Sequence, residues 1–310
     1  MAESHPVGFR WVMKAKERGA RVIHVDPRFS RTSALADQHV PIRTGTDIAF
    51  LGGLIRYVIE TGSYFREYVL PYTNAATIVD EQFQDTEDLE GVFSGFDRET
   101  GMYDRSSWIY SGCAHVEAAA GVREHATQAF AESTGAGMRV ETIKRDETLQ
   151  HPRCVLQIVR RHFSRYTPEM VERVCGIPRD EFLRVAEALV KNSGRERTAA
   201  FVYAVGFTQH TVGVQMIRAA SILQLLLGNI GRPGGGIFAM RGHATIQGST
   251  DIPTLYDLLP GYLQMPHAQP ERESLGDYCR TGGSRRGWWS NFDRYAVSLL
   301  KAWFGDAAVA

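Results

Sequence analysis

The stretch Gly228-Asn-Ile-Gly-Arg-Pro-Gly-Gly-Gly236 constrains this chain more than any other, because it sets five glycines directly after a nearly all-apolar segment, 212–230. Glycine lets backbone amides approach a partner closely, and consecutive amides form anion-binding concavities. A second polar loop, Arg241-Gly-His-Ala-Thr-Ile-Gln-Gly-Ser-Thr-Asp251, follows closely. Its Arg241 can grip a small carboxylate with a two-pronged fork. A cradle for a large phosphorylated group next to a grip for a small anion implies a redox-enzyme site.

Other familiar loops are excluded by their missing parts. No lysine follows Gly236, so the run is not a P-loop. The glycines that start at Gly228 do not directly follow a strand signal, so the dinucleotide fingerprint fails as well. Lys+Arg and Asp+Glu both number 35, which leaves no net field to attract nucleic acid or an anionic membrane. The 212–230 segment is interrupted by Gln215, Arg218 and Gln224, so it reads as a buried helix and not a membrane span. The four cysteines, Cys113, Cys154, Cys175 and Cys279, show no zinc or iron–sulfur spacing and read as idle thiols.

The order of elements predicts an α/β fold. Phe9, Val12, Met13 and Lys16 recur at helical spacing over 8–18, Gly19 stops that helix, and 21–25 reads as a short buried strand ending at Asp26-Pro27-Arg28. A second strand, 39–42, ends in Arg43-Thr-Gly-Thr-Asp47, where Thr46 or Asp47 caps a helix over 48–60. Residues 86–112 suggest a hairpin inside an inserted excursion, and 113–145 give no clear pattern. Helices return over 151–166, 168–175 and 178–191. The best strand, 198–205, runs through Gly206 into the apolar helix. Strands that end in polar loops are the rhythm of a doubly wound αβα (Rossmann-like) domain, whose ligands sit at the strand ends. The expected domains are 1–243, with an insertion at about 86–150, and 244–310, which begins a neighbouring α/β domain and is mostly loop beyond 250.

Each candidate has a plain competitor. Asp26 could accept a hydrogen bond from a nucleotide or simply close its own turn. Asp47 could meet a guanine edge or cap its helix. Gln209 and His210 lie between strand and helix, as ligand contacts or as surface residues. Arg241 and His243 sit between two glycine-rich segments with no acidic residue nearer than Asp251, which favours an anion grip over a solvated arginine.

Taken together, Val25-Asp-Pro-Arg28, Arg43-Thr-Gly-Thr-Asp47, Gly228-Asn-Ile-Gly231 and Arg241-Gly-His-Ala-Thr-Ile-Gln-Gly248 resemble the molybdopterin oxidoreductases. Ser4-His-Pro-Val-Gly8, His151-Pro-Arg-Cys154, Ser164-Arg-Tyr-Thr-Pro-Glu-Met170 and Gly206-Phe-Thr-Gln-His210 narrow the likeness to the large subunits of respiratory formate dehydrogenases. The resemblance implies a bis-(molybdopterin guanine dinucleotide) cofactor with molybdenum or tungsten. Carried over by position, Asp26 and Arg28 sit at one guanosine end, with Gly45 and Asp47 nearby. Gly206, Thr208, His210, Gly231 and Gln247 line the crevice. Arg241 orients formate, and His243 lies beside it.

The same resemblance places the metal ligand, a selenocysteine or cysteine, and a 4Fe–4S cluster upstream of Met1. The chain therefore reads as an internal segment of a larger subunit, inactive alone, as from a reading frame begun after an unread selenocysteine codon. For the full-length subunit it implies an iron–sulfur electron-transfer partner, a membrane cytochrome b subunit and the periplasmic face of the inner membrane, or the cytoplasm without an export signal. Two alternatives stand beside formate oxidation: a nitrate reductase-like enzyme, and a non-catalytic cofactor-binding module.

Overall fold

A computed structural model describes residues 1–112, 143–242, 246–249, 258–268, 274–281 and 290–307. The chain divides into two compact units, Met1–Met240 and Arg241–Ala310.

The first unit opens with α1 (Pro6–Glu17), which carries its proline in the first turn, where a missing N–H costs nothing. Then come β1 (Ile23–Val25), the short α2 (Arg31–Leu35) and β2 (Gln38–Val40). The two strands pair in parallel, with His24 opposite His39 and Val25 opposite Val40. Both are shorter than the sequence predicts. Val22 gives its N–H to the Asp37 carboxylate at 2.7 Å, and Pro41 has no N–H to continue the ladder.

Helix α3 (Asp47–Glu60) lies at the centre of the core, with Leu51, Leu54, Ile55 and Ile59 almost wholly buried. Its Gly52 and Gly53 are contact residues. A Cβ on Gly52 would lie 2.7 Å from the Tyr166 ring, and one on Gly53 would lie 2.6 Å from Val171 Cγ2. Helix α4 (Arg66–Tyr72) follows. The next three helices are α5 (Val155–Phe163), α6 (Pro168–Cys175) and α7 (Arg179–Lys191). The expected signals hold at α6: the Thr167 hydroxyl accepts from the Met170 N–H at 3.2 Å, and Gly176 ends the helix at φ 73°.

The hairpin predicted within 86–112 is a single antiparallel bridge, Phe96 to Tyr103. Arg161 of α5 donates to Asp85 and Asp88, and His162 and Arg165 meet Glu87, fastening this excursion to the helix.

β3 (Ala200–Tyr203) stops short of the predicted 198–205, because Val205–Thr208 turns into the one-turn helix α8. The apolar segment forms α9 (Gly213–Leu226), a buried helix as expected, and β4 (Gly236–Ala239) pairs in parallel with β3. Phe201 and Ile237 face the core, whereas Val202 and Phe238, opposite each other, are each 47% exposed. Among the described residues the parallel strands form two separate pairs within a mixed α/β unit.

The second unit contains α10 (Ile246–Ser249), the antiparallel pair β5 (Leu258–Leu259) and β6 (Leu263–Gln264), α11 (Leu275–Thr281) and α12 (Phe292–Phe304). Where residues beyond 250 are described, these helices and strands stand in place of the expected loop. Leu263, Tyr278, Phe292 and Ala296 make a small core, and the Tyr278 hydroxyl donates to Gln264 O at 2.6 Å. No helix among the described residues is long and apolar enough to cross a membrane.

Candidate functional site

The parallel register brings loops together at the C-terminal ends of the strands. Beyond β1, Asp26 gives its N–H to Val40 O at 3.1 Å. Its Oδ1 accepts the Arg28 N–H at 2.7 Å, so it does close its own turn. Its Oδ2 lies 3.7 Å from His24 Nε2, and its carbonyl accepts from His39 Nε2 at 2.9 Å. The Arg28 side chain is exposed beside this turn. Burial is the main cause holding His24 below the usual histidine range, opposed by the Asp26 charge and assisted by His39 and the terminal ammonium. Neither histidine is singled out by the sequence pattern, because their juxtaposition depends on a register that local rules do not reveal.

Beyond β2, the expected cap is replaced. Thr46 occupies the position before α3, but its hydroxyl donates backward to Arg43 O at 2.6 Å and makes no side-chain cap. Arg43 donates to Arg173 O and Val174 O at the end of α6. Gly45 has φ 82°, with open space where a Cβ would be. Asp47 is the first residue of α3, and burial raises its carboxyl above the usual aspartate range, against the opposing pull of its own N–H and of His210. Asp47 and His210 thus stand at two strand-to-helix junctions, one before α3 and one before α9. Nδ1 of His210 is buried and has no hydrogen-bond partner among the described residues. Around it, Gly206 and Thr208 are exposed on α8, and Gly206 also faces open space.

The glycine-rich loop proves to be two things. Gly228 sits at φ 69°, with Phe65 Cδ1 2.5 Å from where a Cβ would lie. Gly235 is closed off by Asn229 O, and Gly234 and Gly236 have positive φ at the entry to β4. Gly228, Gly234 and Gly235 are explained by chain packing, and Gly236, buried with no neighbour at its Cβ position, by its backbone φ of 113°. Gly231, at φ 77° and exposed, faces open space and remains available to a ligand.

Arg241 and Gly242 are exposed at the start of the second unit. The backbone of Gln247 lies in α10, while its side chain and all of His243 fall outside the described residues. Among the described residues, no group of three His, Cys, Asp or Glu side chains could hold a metal. Cys154 and Cys175 are buried, Cys279 is partly so, and burial raises all three thiols; Cys113 lies outside the described residues. Two surface cavities of about 220 and 300 Å3, one beside Glu60 and Arg160 and one beside Asp85 and Arg153, include none of the predicted site residues.

Residues 1–278 match the molybdopterin oxidoreductase family, and the chain belongs to it. It is 45% identical over 318 residues to the formate dehydrogenase-O major subunit of Escherichia coli (strain K12), covering 100% of this chain and 28% of that one. It is 45% identical over 315 residues to formate dehydrogenase 2 subunit alpha (cytochrome c-553) of Nitratidesulfovibrio vulgaris, covering 99% and 28%. Among solved structures, acetylene hydratase from Pelobacter acetylenicus aligns with TM-score 0.41 and 16% identity, over 73% of this chain and 20% of that one. The chain thus spans about 28% of the length of the curated relatives it matches.

Proposed function

We propose that this chain is part of the catalytic subunit of a formate dehydrogenase, contributing one wall of a bis-(molybdopterin guanine dinucleotide) crevice and the grip for formate. Two relatives named as formate dehydrogenase subunits, each 45% identical to this chain, support the activity. The observation that carries the site is the orphaned Nδ1 of His210 beside the half-buried Asp47. An unpartnered buried polar atom costs roughly 1–3 kcal/mol, so it fits a site that a ligand completes. The open backbone at Gly45, Gly206 and Gly231 fits the same purpose, since nothing among the described residues occupies the space a side chain would take.

On this reading Asp26 and Arg28 meet one guanosine end. Asp47 accepts paired N–H donors, and His210, Thr208 and Gln247 line the crevice. Arg241 forks the two formate oxygens and aims the C–H bond, with His243 beside it. The bound molybdenum or tungsten centre supplies the two-electron acceptor. The two parallel strand pairs belong to a doubly wound sheet in the full-length subunit. That subunit carries the 4Fe–4S cluster and passes electrons to an iron–sulfur partner and a membrane cytochrome b subunit on the periplasmic face.

Expression of the full-length subunit with Asp47→Asn and His210→Gln tests the reading. Both variants should retain less pterin and metal per protein than the wild type, and the wild type should oxidise formate. Nitrate reduction by the wild type would move the activity to another branch of the family. Full pterin retention without any turnover would identify a non-catalytic module.

A further inference from the structure

Asp26 is held more completely than its turn requires. A turn of this type closes through Oδ1 alone, by the Arg28 N–H at 2.7 Å. Two histidines add to it. They stand opposite each other in the β1–β2 register, with ring centroids 5.9 Å apart. His39 donates from Nε2 to the Asp26 carbonyl at 2.9 Å, and the Phe29 ring meets its edge at 5.3 Å. His24 Nδ1 lies 2.9 Å from the Ser33 hydroxyl oxygen, which already accepts the Ser30 N–H. Ser33 is buried, so its own hydroxyl proton is free to go to His24 Nδ1. The proton of the neutral imidazole then resides on Nε2, directed at Asp26 Oδ2 at 3.7 Å.

That separation is too long for a full hydrogen bond and short enough for an ion pair to form once the ring is charged. Neutral His24 therefore leaves Oδ2 free to turn outward, whereas imidazolium draws it in.

We propose that His24 and His39 are positioning residues for Asp26, and that protonation of His24 withdraws the carboxylate and weakens binding at the nucleotide end of the site. This rests on the reading that Asp26 contacts a guanosine end. The charged and titratable groups facing His24 are Asp26 on its own strand side, His39 on β2, and the Met1 ammonium, which Thr32 Oγ1 accepts at 3.0 Å.

The experiment measures GDP binding to the 310-residue chain by calorimetry from pH 5 to 8, alongside ring-proton NMR of the histidines. In the wild type, affinity should fall by up to roughly tenfold per pH unit below the His24 midpoint, the limit for one linked proton. His24→Asn places an amide where Nδ1 meets Ser33 and should abolish that acid step. His39→Ala removes the Nε2 donor to the Asp26 carbonyl and should weaken GDP at every pH while keeping the step, which preserves the test if His24→Asn fails to fold. An acid step that survives in His24→Asn overturns the proposal. If GDP does not bind at any pH, the nucleotide reading of Asp26 fails instead. The NMR arm then decides the positioning alone: Asp26→Asn should move the His24 titration to lower pH, and an unchanged titration overturns it.

Discussion

Asn229 Nδ2 donates to Gln224 Oε1 at 2.8 Å, and both side chains are fully buried. Gln224 in turn donates to Ala199 O and Gly236 O, while Asn229 Oδ1 accepts the Ala199 N–H. Two amides at the end of α9 therefore stitch the entries of β3 and β4 to the helix, and they shape the glycine loop between them. Replacing Gln224 by Leu leaves both carbonyls and an Asn229 N–H without partners. Such a change should cost roughly 2–4 kcal/mol, read as a lower urea midpoint with an unchanged slope.

Two glycines should respond in opposite ways to alanine. At Gly53 the new methyl meets Val171 and Phe182, and overpacking of about 1–3 kcal/mol outweighs a helix-propensity gain of about 1 kcal/mol. At Gly206 it meets nothing within 4 Å. Gly206→Ala should therefore leave the melting temperature nearly unchanged while reducing pterin retention in the full-length subunit. A large fall in stability would show that the turn itself needs glycine.

The carboxyl of Asp146 is pulled down to about 2 by the Thr148 hydroxyl first, then by the His151 N–H, with the Thr148 and Gln150 N–H groups adding to it. Its folded value is depressed, so its contribution to stability is complete above the ordinary value of 3.8 and disappears as pH falls through about 2. Urea curves of wild type and Asp146→Asn should differ at neutral pH and converge across that acid window. Curves that stay equally far apart down to the bottom of the window would refute the assignment.

In the full-length subunit, Arg241→Lys keeps the charge but loses the planar fork. Loss of two-point orientation should lower kcat/KM for formate by roughly a hundredfold, with part of the loss in kcat. An effect confined to KM would mean that Arg241 attracts formate without aiming it.

Local rules read some parts of this chain well. Thr167-Pro168 and Gly176 mark the ends of α6, and the apolar spacing marks α3 and α9, because each signal acts within a turn or two of itself. The glycine loop was harder. Gly228 is required by Phe65 and Gly235 by Asn229 O, and a contact across sequence distance looks the same in a string as a ligand cradle does. α12 carries a local signal that composition masks: Phe292, Tyr295, Ala296 and Leu299 recur at helical spacing within a stretch whose Pro, Gly and Arg content reads as loop. At the site, Asp47 and His210 are both legible from their places between strand and helix. Their electrostatic coupling and the orphaned Nδ1 became visible only with the folding of α3 against α9.

The cross-strand pair Val202 and Phe238 has a practical consequence. A parallel ribbon ordinarily buries both faces, and here one face shows two apolar side chains side by side at 47% exposure each. Colloidal behaviour of the purified chain will be governed by that face more than by its balanced charge of +0, which offers no electrostatic repulsion between molecules. Light scattering should reveal concentration-dependent clustering near neutral pH, and Val202→Thr with Phe238→Thr should suppress it without altering the helical circular dichroism.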